Sequence, residues 1–415
     1  MADAQHGQDE LRAALRVLGE AHHASLDTVN LVPSENRLSP SAAAPLSTDF
    51  YHRYFFNDAQ DPTFWQFRGG QPVGRLETDL ALPALRRLAE AEHVNLRPIS
   101  GMSAMLVAMG ALGGRPGNTV VSIDPAAGGH YATTSVAQRL GFTACTVGVR
   151  RGTVDEDDLR AVLRRHRPAL VYLDLQNSLY ALDIAAVATI IRQESPATRL
   201  HVDCSHTLGL VLGRALDNPL DLGADSMGGS THKSFPGPHK GVLFTRSDEV
   251  RDRLRETQFC LLSSHHFAET IALGLAAAEF EMFGHDYAAQ IVTNAQLLGS
   301  ELLAAGFAVV HDGPHVTDTH QLWLRVGDAD RTDTFAERLY QAGVRVNVQV
   351  DLPGLPGPAV RVGVNEFTFD GARQWHTEQL AQVFALARDG ETAAAATLRR
   401  AVKAELTEPF YLPPW

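Results

Sequence analysis

Two short segments hold residue types that can do chemistry together. In "GGSTHKSFPGPHKG", residues 228–241, Lys233 lies between a histidine and a serine, and the proline and glycines that follow forbid a helix. A lysine in a loop so poor in other charge is not an ordinary solvated one. Thirty residues upstream, "HVDCSH" reads as a strand end, with Asp203 closing it and His206 just beyond. A lysine can form an imine with an aldehyde, and a carboxylate can keep a heterocyclic nitrogen protonated so that the ring accepts carbanion electrons. Pyridoxal phosphate chemistry needs both. The lysine must be near neutral to act, and a sheltered position beside a cationic ring favours that form.

Both segments must reach one place, so the elements around them matter. "TVVSIDP", "TACTVGV", "ALVYLDL", "RLHVDCS" and "KGVLFTR" are short apolar runs rich in β-branched residues, and helical stretches such as "VDEDDLRAVLRRH" and "DIAAVATIIRQE" separate most of them. That alternation predicts an α/β fold with a mostly parallel sheet covered on both faces. Ligands bind such sheets at the carboxyl ends of the strands, where Asp203 and Lys233 fall. Residues 8–24 have helical periodicity, "ALPALRRLAEAEH" is an amphipathic helix, and a long helical stretch covers about 268–306. The strands after it ("FAVVH", "HQLWLRV", "VRVNVQV", "AVRVGV") and two further helices read as a smaller α+β domain, with "DLPGLPGP" as a loop between strands. The expected organisation is an N-terminal helix and arm over 1–40, a large cofactor-binding domain over 41–280 and a small C-terminal domain over 281–415.

The 415 residues carry a net charge of −12, which argues against a nucleic-acid partner. No apolar run is long enough to cross a membrane, and the polar, acidic start "MADAQHGQDELRAALRVLGE" lacks the features of a signal peptide. Cys145, Cys204 and Cys260 are odd in number and widely spaced, so neither a disulfide framework nor a zinc site is expected. His265 and His266 are adjacent, point apart and have no clustered ligands, so no metal is expected there. The expectation is a cytoplasmic protein.

Six motifs, in order, resemble the serine hydroxymethyltransferase family of fold-type-I pyridoxal phosphate enzymes: "PSENRLSP", "PISGMSAM", "GGHYATT", "VDCSHTLGL", "STHKSFPGP" and "VRVGV", spanning about residues 28–380. The resemblance implies that Lys233 carries the cofactor, that Asp203 meets its ring nitrogen, that His206 lies near its phenolic oxygen and that His130 stacks on its face. It implies a phosphate site at Ser100, Gly101 and Met102, a helix start that suits an anion, helped by Ser230 and His232. It assigns Arg361 to the substrate carboxylate as a two-pronged clamp, with Ser34 beside it and Glu35 next in sequence. Tyr54 is expected to face the substrate from a neighbouring subunit, which implies a homodimer with shared sites.

The sequence departs from the family on one side of the pocket. The glutamate two residues after the family's equivalent of Tyr54 is replaced by Phe56, the nearest acid being Asp58. Phe67 and Arg68 stand where the family has paired tyrosines before Gly69 and Gly70, and the intervening "NDAQDPTFWQ" is longer. "LLSSHH", with Ser263 and Ser264, replaces a glycine-rich phosphate loop supplied by the partner subunit, and Gln176 replaces a serine near the cofactor's oxygen. A phenylalanine exchanges no protons, so these changes fall on folate and the hydroxymethyl step. The expected activity therefore resembles that of L-threonine transaldolases: L-threonine loses acetaldehyde, and the glycine carbanion adds to a second aldehyde to give a new β-hydroxy-α-amino acid. Rivals are a hydroxymethyltransferase using tetrahydrofolate, a transaminase or α-carbon epimerase, and a non-catalytic homologue.

Overall fold

The computed structural model describes residues 2–55, 67–312 and 315–412. A seven-stranded sheet forms its centre: β1 (His93–Asn95), β2 (Thr119–Ile123), β3 (Thr143–Val147), β4 (Leu170–Asp174), β5 (Arg199–Asp203), β6 (Ser226–Ser230) and β7 (Gly241–Thr245), in the order β1-β7-β6-β5-β4-β2-β3. The five strands from β6 to β3 run parallel. β7 runs against both of its neighbours, so "KGVLFTR" is the one reversed strand in an otherwise parallel order. β2, β4, β6 and β7 are buried along their whole length, which is why they read as continuous apolar or small-residue runs rather than alternating ones.

Helices cover the sheet. α1 (Ala2–Leu26) is the N-terminal arm, α2 (Gly101–Leu112) follows β1, and α3 (Glu156–His166) and α4 (Ile184–Glu194) are crossovers beside β4. Asp155 caps α3 by accepting the Asp158 N–H, three acids fill the first turn and Arg164, Arg165 and His166 the last, so charge follows the helix dipole at both ends. The helix docks through Leu159 and Leu163, both fully buried. Truncating either to alanine would cost about 2–5 kcal/mol.

α5 (Phe267–Ala304) is 38 residues long and apolar on most sides, because it packs on the large sheet's layer and on the C-terminal elements at once. It is continuous through residues 280 and 281. A four-stranded antiparallel sheet follows: β8 (Ala308–Val309), β9 (Gln321–Arg325), β10 (Asn347–Leu352) and β11 (Leu355–Gly363), ordered β8-β9-β11-β10. α6 (Gln374–Arg388) packs on α5. "DLPGLPGP" is not a loop. It forms the end of β10, a turn at Pro353 and Gly354, and the start of β11, with an irregularity between Val350 and Leu352. Pro356 and Pro358 are tolerated because β9 pairs with β11 only from Val360 onward, so the first half of β11 has a neighbour on one side only.

Candidate active site

The parallel order brings several strand ends to one edge. Asp174 closes β4, Asp203 closes β5, and Lys233 lies three residues past the end of β6. Register pairs Asp174 with Asp203 and Asp203 with Gly228. The loops after these strands enclose a cavity of about 260 Å³, walled by Ser100, Gly101, Met102, His130, Asp203, His206, Ser230, His232 and Lys233, with Gln176 also on its wall. These ten were expected from sequence to hold the cofactor, whereas Met105, Asp174, Leu175 and Ser205, also on the wall, were not.

Burial pushes the Lys233 ammonium down to about 8, against the opposing pull of the Asp203 carboxylate. A nearly neutral amine is what imine formation requires. The lysine's backbone carbonyl accepts from Asn36 Nδ2 at 2.7 Å and Asn365 Nδ2 at 3.2 Å, which fixes the loop. Asp203 is oriented by two donors, the Tyr172 hydroxyl at 2.7 Å on Oδ2 and the Ser205 N–H at 2.8 Å on Oδ1. Its neighbour Asp174 differs: burial raises it to about 8, and it accepts from the Thr133 hydroxyl and the His130 N–H. Both strand-end acids line the cavity, and Asp174 in addition holds the His130 loop. Burial also lowers His130, and drives His206 well below the usual imidazole range with further help from Lys233 and Arg361. Both rings are therefore neutral at physiological pH.

The helix start at α2 is built for an anion. Ser100 Oγ accepts the Ser103 N–H and the Ser100 carbonyl accepts the Ala104 N–H, leaving the Gly101 and Met102 N–H groups without an intrahelical acceptor. A Cβ on Gly101 would come within 2.9 Å of Ser230 Cβ, and one on Gly229, at φ +135°, within 2.6 Å of Asp203 Oδ1. Neither position has room for a side chain, so the start of α2 lies close against Ser230 and the end of β6 close against Asp203. The donors, the small-residue cradle and the near-neutral lysine fit pyridoxal phosphate.

Arg361 on β11 lies deep, 3 % exposed. Nε donates to Gln321 Oε1 at 3.0 Å and Nη2 to the Gln176 carbonyl at 2.7 Å. Both acceptors are neutral, and burial pulls the guanidinium down to about 10. A buried cation without a carboxylate partner among the described residues is poised for an external anion. The segment bearing Ser34 passes alongside: the Leu31 carbonyl accepts the Gly363 N–H at 2.8 Å, and the Pro33 carbonyl meets His320 Nε2 at 3.1 Å. Glu35 is exposed and accepts from Asn30 Nδ2 at 2.9 Å.

Tyr54, Arg68, Ser263 and Ser264 are exposed and do not wall this cavity. Tyr54 stacks on Phe67 with ring centres 5.7 Å apart. The loop of Ser263 and Ser264 is tied to the Tyr54 segment through buried His265: its Nε2 meets the Phe55 carbonyl at 2.6 Å, and Lys240 Nζ donates to the His265 carbonyl at 2.8 Å. Phe56 and Asp58 lie outside the described residues. Sequence reasoning missed Tyr172, Asp174, His320 and Gln321. Asp174 carried a signal, an acid closing an apolar run as Asp203 does. The other three are visible only once strand register and the packing of the small domain are known.

The family profile described as serine hydroxymethyltransferase matches residues 13–384. The chain is 60% identical over 403 residues to an L-threonine:uridine-5'-aldehyde transaldolase from Streptomyces sp, covering 97% of this chain and 98% of that protein. It is 57% identical over 404 residues to a protein of the same name from Amycolatopsis sp, covering 97% and 98%. The crystal structure of an L-threonine transaldolase from Pseudomonas fluorescens in its internal aldimine state superposes with a TM-score of 0.85 at 27% identity, covering 99% of this chain and 94% of that one.

Proposed function

The chain belongs to the serine hydroxymethyltransferase family, and from that premise we propose that it is an L-threonine transaldolase whose second substrate is a nucleoside 5'-aldehyde of the uridine type. It is a pyridoxal phosphate-dependent transferase. The observation that carries the reading is the cavity that brings Lys233 and Asp203 together, with Arg361 buried and bonded to the Gln176 carbonyl on that wall, in a chain that aligns over nearly its full length with proteins named as transaldolases of that specificity.

When bound, the cofactor supplies an electron sink for charge developing at the α-carbon. Lys233 is the residue that would hold it, Asp203 the partner of its ring nitrogen, His130 the residue over its face and His206 the neighbour of its phenolic oxygen. Ser100, Gly101, Met102, Ser230 and His232 would take its phosphate. Arg361 binds the carboxylate of L-threonine with the guanidinium edge left free by Gln321 and Gln176. In neutral His130 the ring nitrogen with the lone pair is Nδ1, which meets the Ala132 N–H at the long distance of 3.3 Å, and that nitrogen can exchange this contact for the β-hydroxyl proton of threonine. The Cα–Cβ bond then breaks, acetaldehyde leaves and the glycine unit keeps the electron pair. That pair forms the bond to the carbonyl carbon of the second aldehyde, whose oxygen regains the proton.

The site is completed by a second copy of the chain in this reading. α1 exposes Leu11, Leu15 and Leu18 at 60%, 56% and 65%, one apolar helical stripe left uncovered among the described residues. Tyr54, Ser263 and Ser264 are likewise exposed and are linked through His265. A homodimer buries the stripe and delivers these residues to the partner's cavity. The protein acts in the cytoplasm, on small molecules, in specialised rather than primary metabolism.

The test is incubation of the holoenzyme with L-threonine, without folate, while acetaldehyde is assayed. Acetaldehyde release supports the reading. Serine-to-glycine conversion strictly dependent on tetrahydrofolate, with no acetaldehyde from threonine, would assign the protein to the hydroxymethyltransferases.

A further inference from the structure

A second cleft, of about 600 Å³, adjoins the lysine cavity. Leu175 lines both, so one wall of the second begins where the first ends. The segment after β4 is the divide: Gln176 lies on the lysine side and Asn177 on the far side. Tyr180, Trp323 and Pro353 supply flat apolar walls. The lysine cavity, at about 260 Å³, would be taken up by the cofactor and an amino acid, whereas 600 Å³ lies in the ordinary range for a small-molecule site, roughly 300–1,000 Å³.

Two observations indicate what this cleft takes. The first is Asn177, only 7% exposed, whose side-chain amide makes no hydrogen bond among the described residues and whose Oδ1 is buried without a partner. A buried amide left unpaired is costly, and its O and N together complement a ligand edge that offers one donor beside one acceptor. The second is charge. The rim arginines Arg150 and Arg151 both pair with Asp312, and Asp124 lies on the same wall, so two cations face two carboxylates. That balance suits an uncharged ligand rather than a phosphorylated one.

We propose that this cleft is the subsite for the acceptor aldehyde, with the Asn177 amide reading the imide edge of a pyrimidine base, its N3–H and one flanking carbonyl. The inference rests on the transaldolase reading above and adds the residue that selects the nucleoside. The aldehyde end reaches past Leu175 toward Lys233, and the base lies between Tyr180 and Trp323.

Binding of uridine, which lacks the aldehyde and cannot react, tests this apart from turnover. Holoenzyme is titrated by calorimetry with uridine and with 3-methyluridine, whose imide N–H is blocked. Wild-type protein is expected to prefer uridine by about tenfold, the worth of one buried hydrogen bond. In Asn177→Ala the preference should fall to near one. Equal affinity of wild-type protein for the two ligands overturns the proposal without any substitution being involved, and so does a preference that survives in the variant. Failure of the transaldolase reading is separate: it shows as absence of acetaldehyde from L-threonine, whatever uridine does.

Discussion

Replacing Arg361 by lysine keeps the positive charge in place but removes the planar fork. In the native chain, Gln321 Oε1 at 3.0 Å and the Gln176 carbonyl at 2.7 Å hold one edge of the guanidinium, and the other edge is free for a carboxylate. A lysine ammonium would spend its donors on those same oxygens or on the substrate, and it cannot make two parallel bonds. Losing one charge-assisted hydrogen bond costs about 1.5–3 kcal/mol, which is roughly tenfold to 150-fold in affinity. The carboxylate takes no part in bond making, so ground and transition states lose alike. KM for L-threonine should therefore rise by that factor while kcat changes little. The assay is steady-state acetaldehyde release, with thermal unfolding measured alongside to show that the variant is folded. An unchanged KM in a folded variant refutes the clamp. A fall in kcat at constant KM also refutes it, because that result places Arg361 in the chemical step.

Lys233→Ala should lose turnover and all covalently retained cofactor after borohydride reduction, and label still found at that position would end the assignment. Mixing Lys233→Ala with Tyr54→Phe subunits, each inactive alone, should restore part of the activity if sites are shared, and no recovery after verified subunit exchange counts against the dimer. Cofactor-free protein should gain stability between about pH 8 and 10.5, because folding lowers the lysine's proton affinity and the unfolded chain binds more protons across that window. The gain is roughly 3 kcal/mol, and Lys233→Met should lack it when the two denaturant curves are compared at each pH. Below pH 6.5 the trend has a second source: His201, held at about 4, and His320, held at about 3, are buried neutral, so unfolding takes up their protons and stability falls with pH. By pH 5 each should cost about 2 kcal/mol, and a stability profile flat from pH 7 to 5 would contradict their burial.

Residues whose chemistry demands their type were legible in the sequence. Lys233, Asp203 and Arg361 each occur in a short motif, and the structure places the first two on one cavity and fixes the third by hydrogen bonds. Residues that act through register were not legible. Asp174 matters because it lies opposite Asp203 on the adjacent strand, and Tyr172 because its hydroxyl points at that same carboxylate from two residues before the strand end. Gln321 and His320 come from the small sheet, far from the site in sequence, and only its docking brings them there. The strand in "DLPGLPGP" was hidden by turn-forming residues that an edge position tolerates. Asn177 carried no signal in the sequence, and its unpaired amide has meaning only beside a cavity.

The central claim is that one glycine unit moves from threonine to a second aldehyde without a one-carbon carrier. Feeding L-threonine labelled with ¹³C at Cα, with uridine-5'-aldehyde and no folate, tests it most directly. The label should be recovered at the α-carbon of a new β-hydroxy nucleoside amino acid, with unlabelled acetaldehyde formed in equal amount. Label remaining in threonine until tetrahydrofolate is supplied would contradict the account.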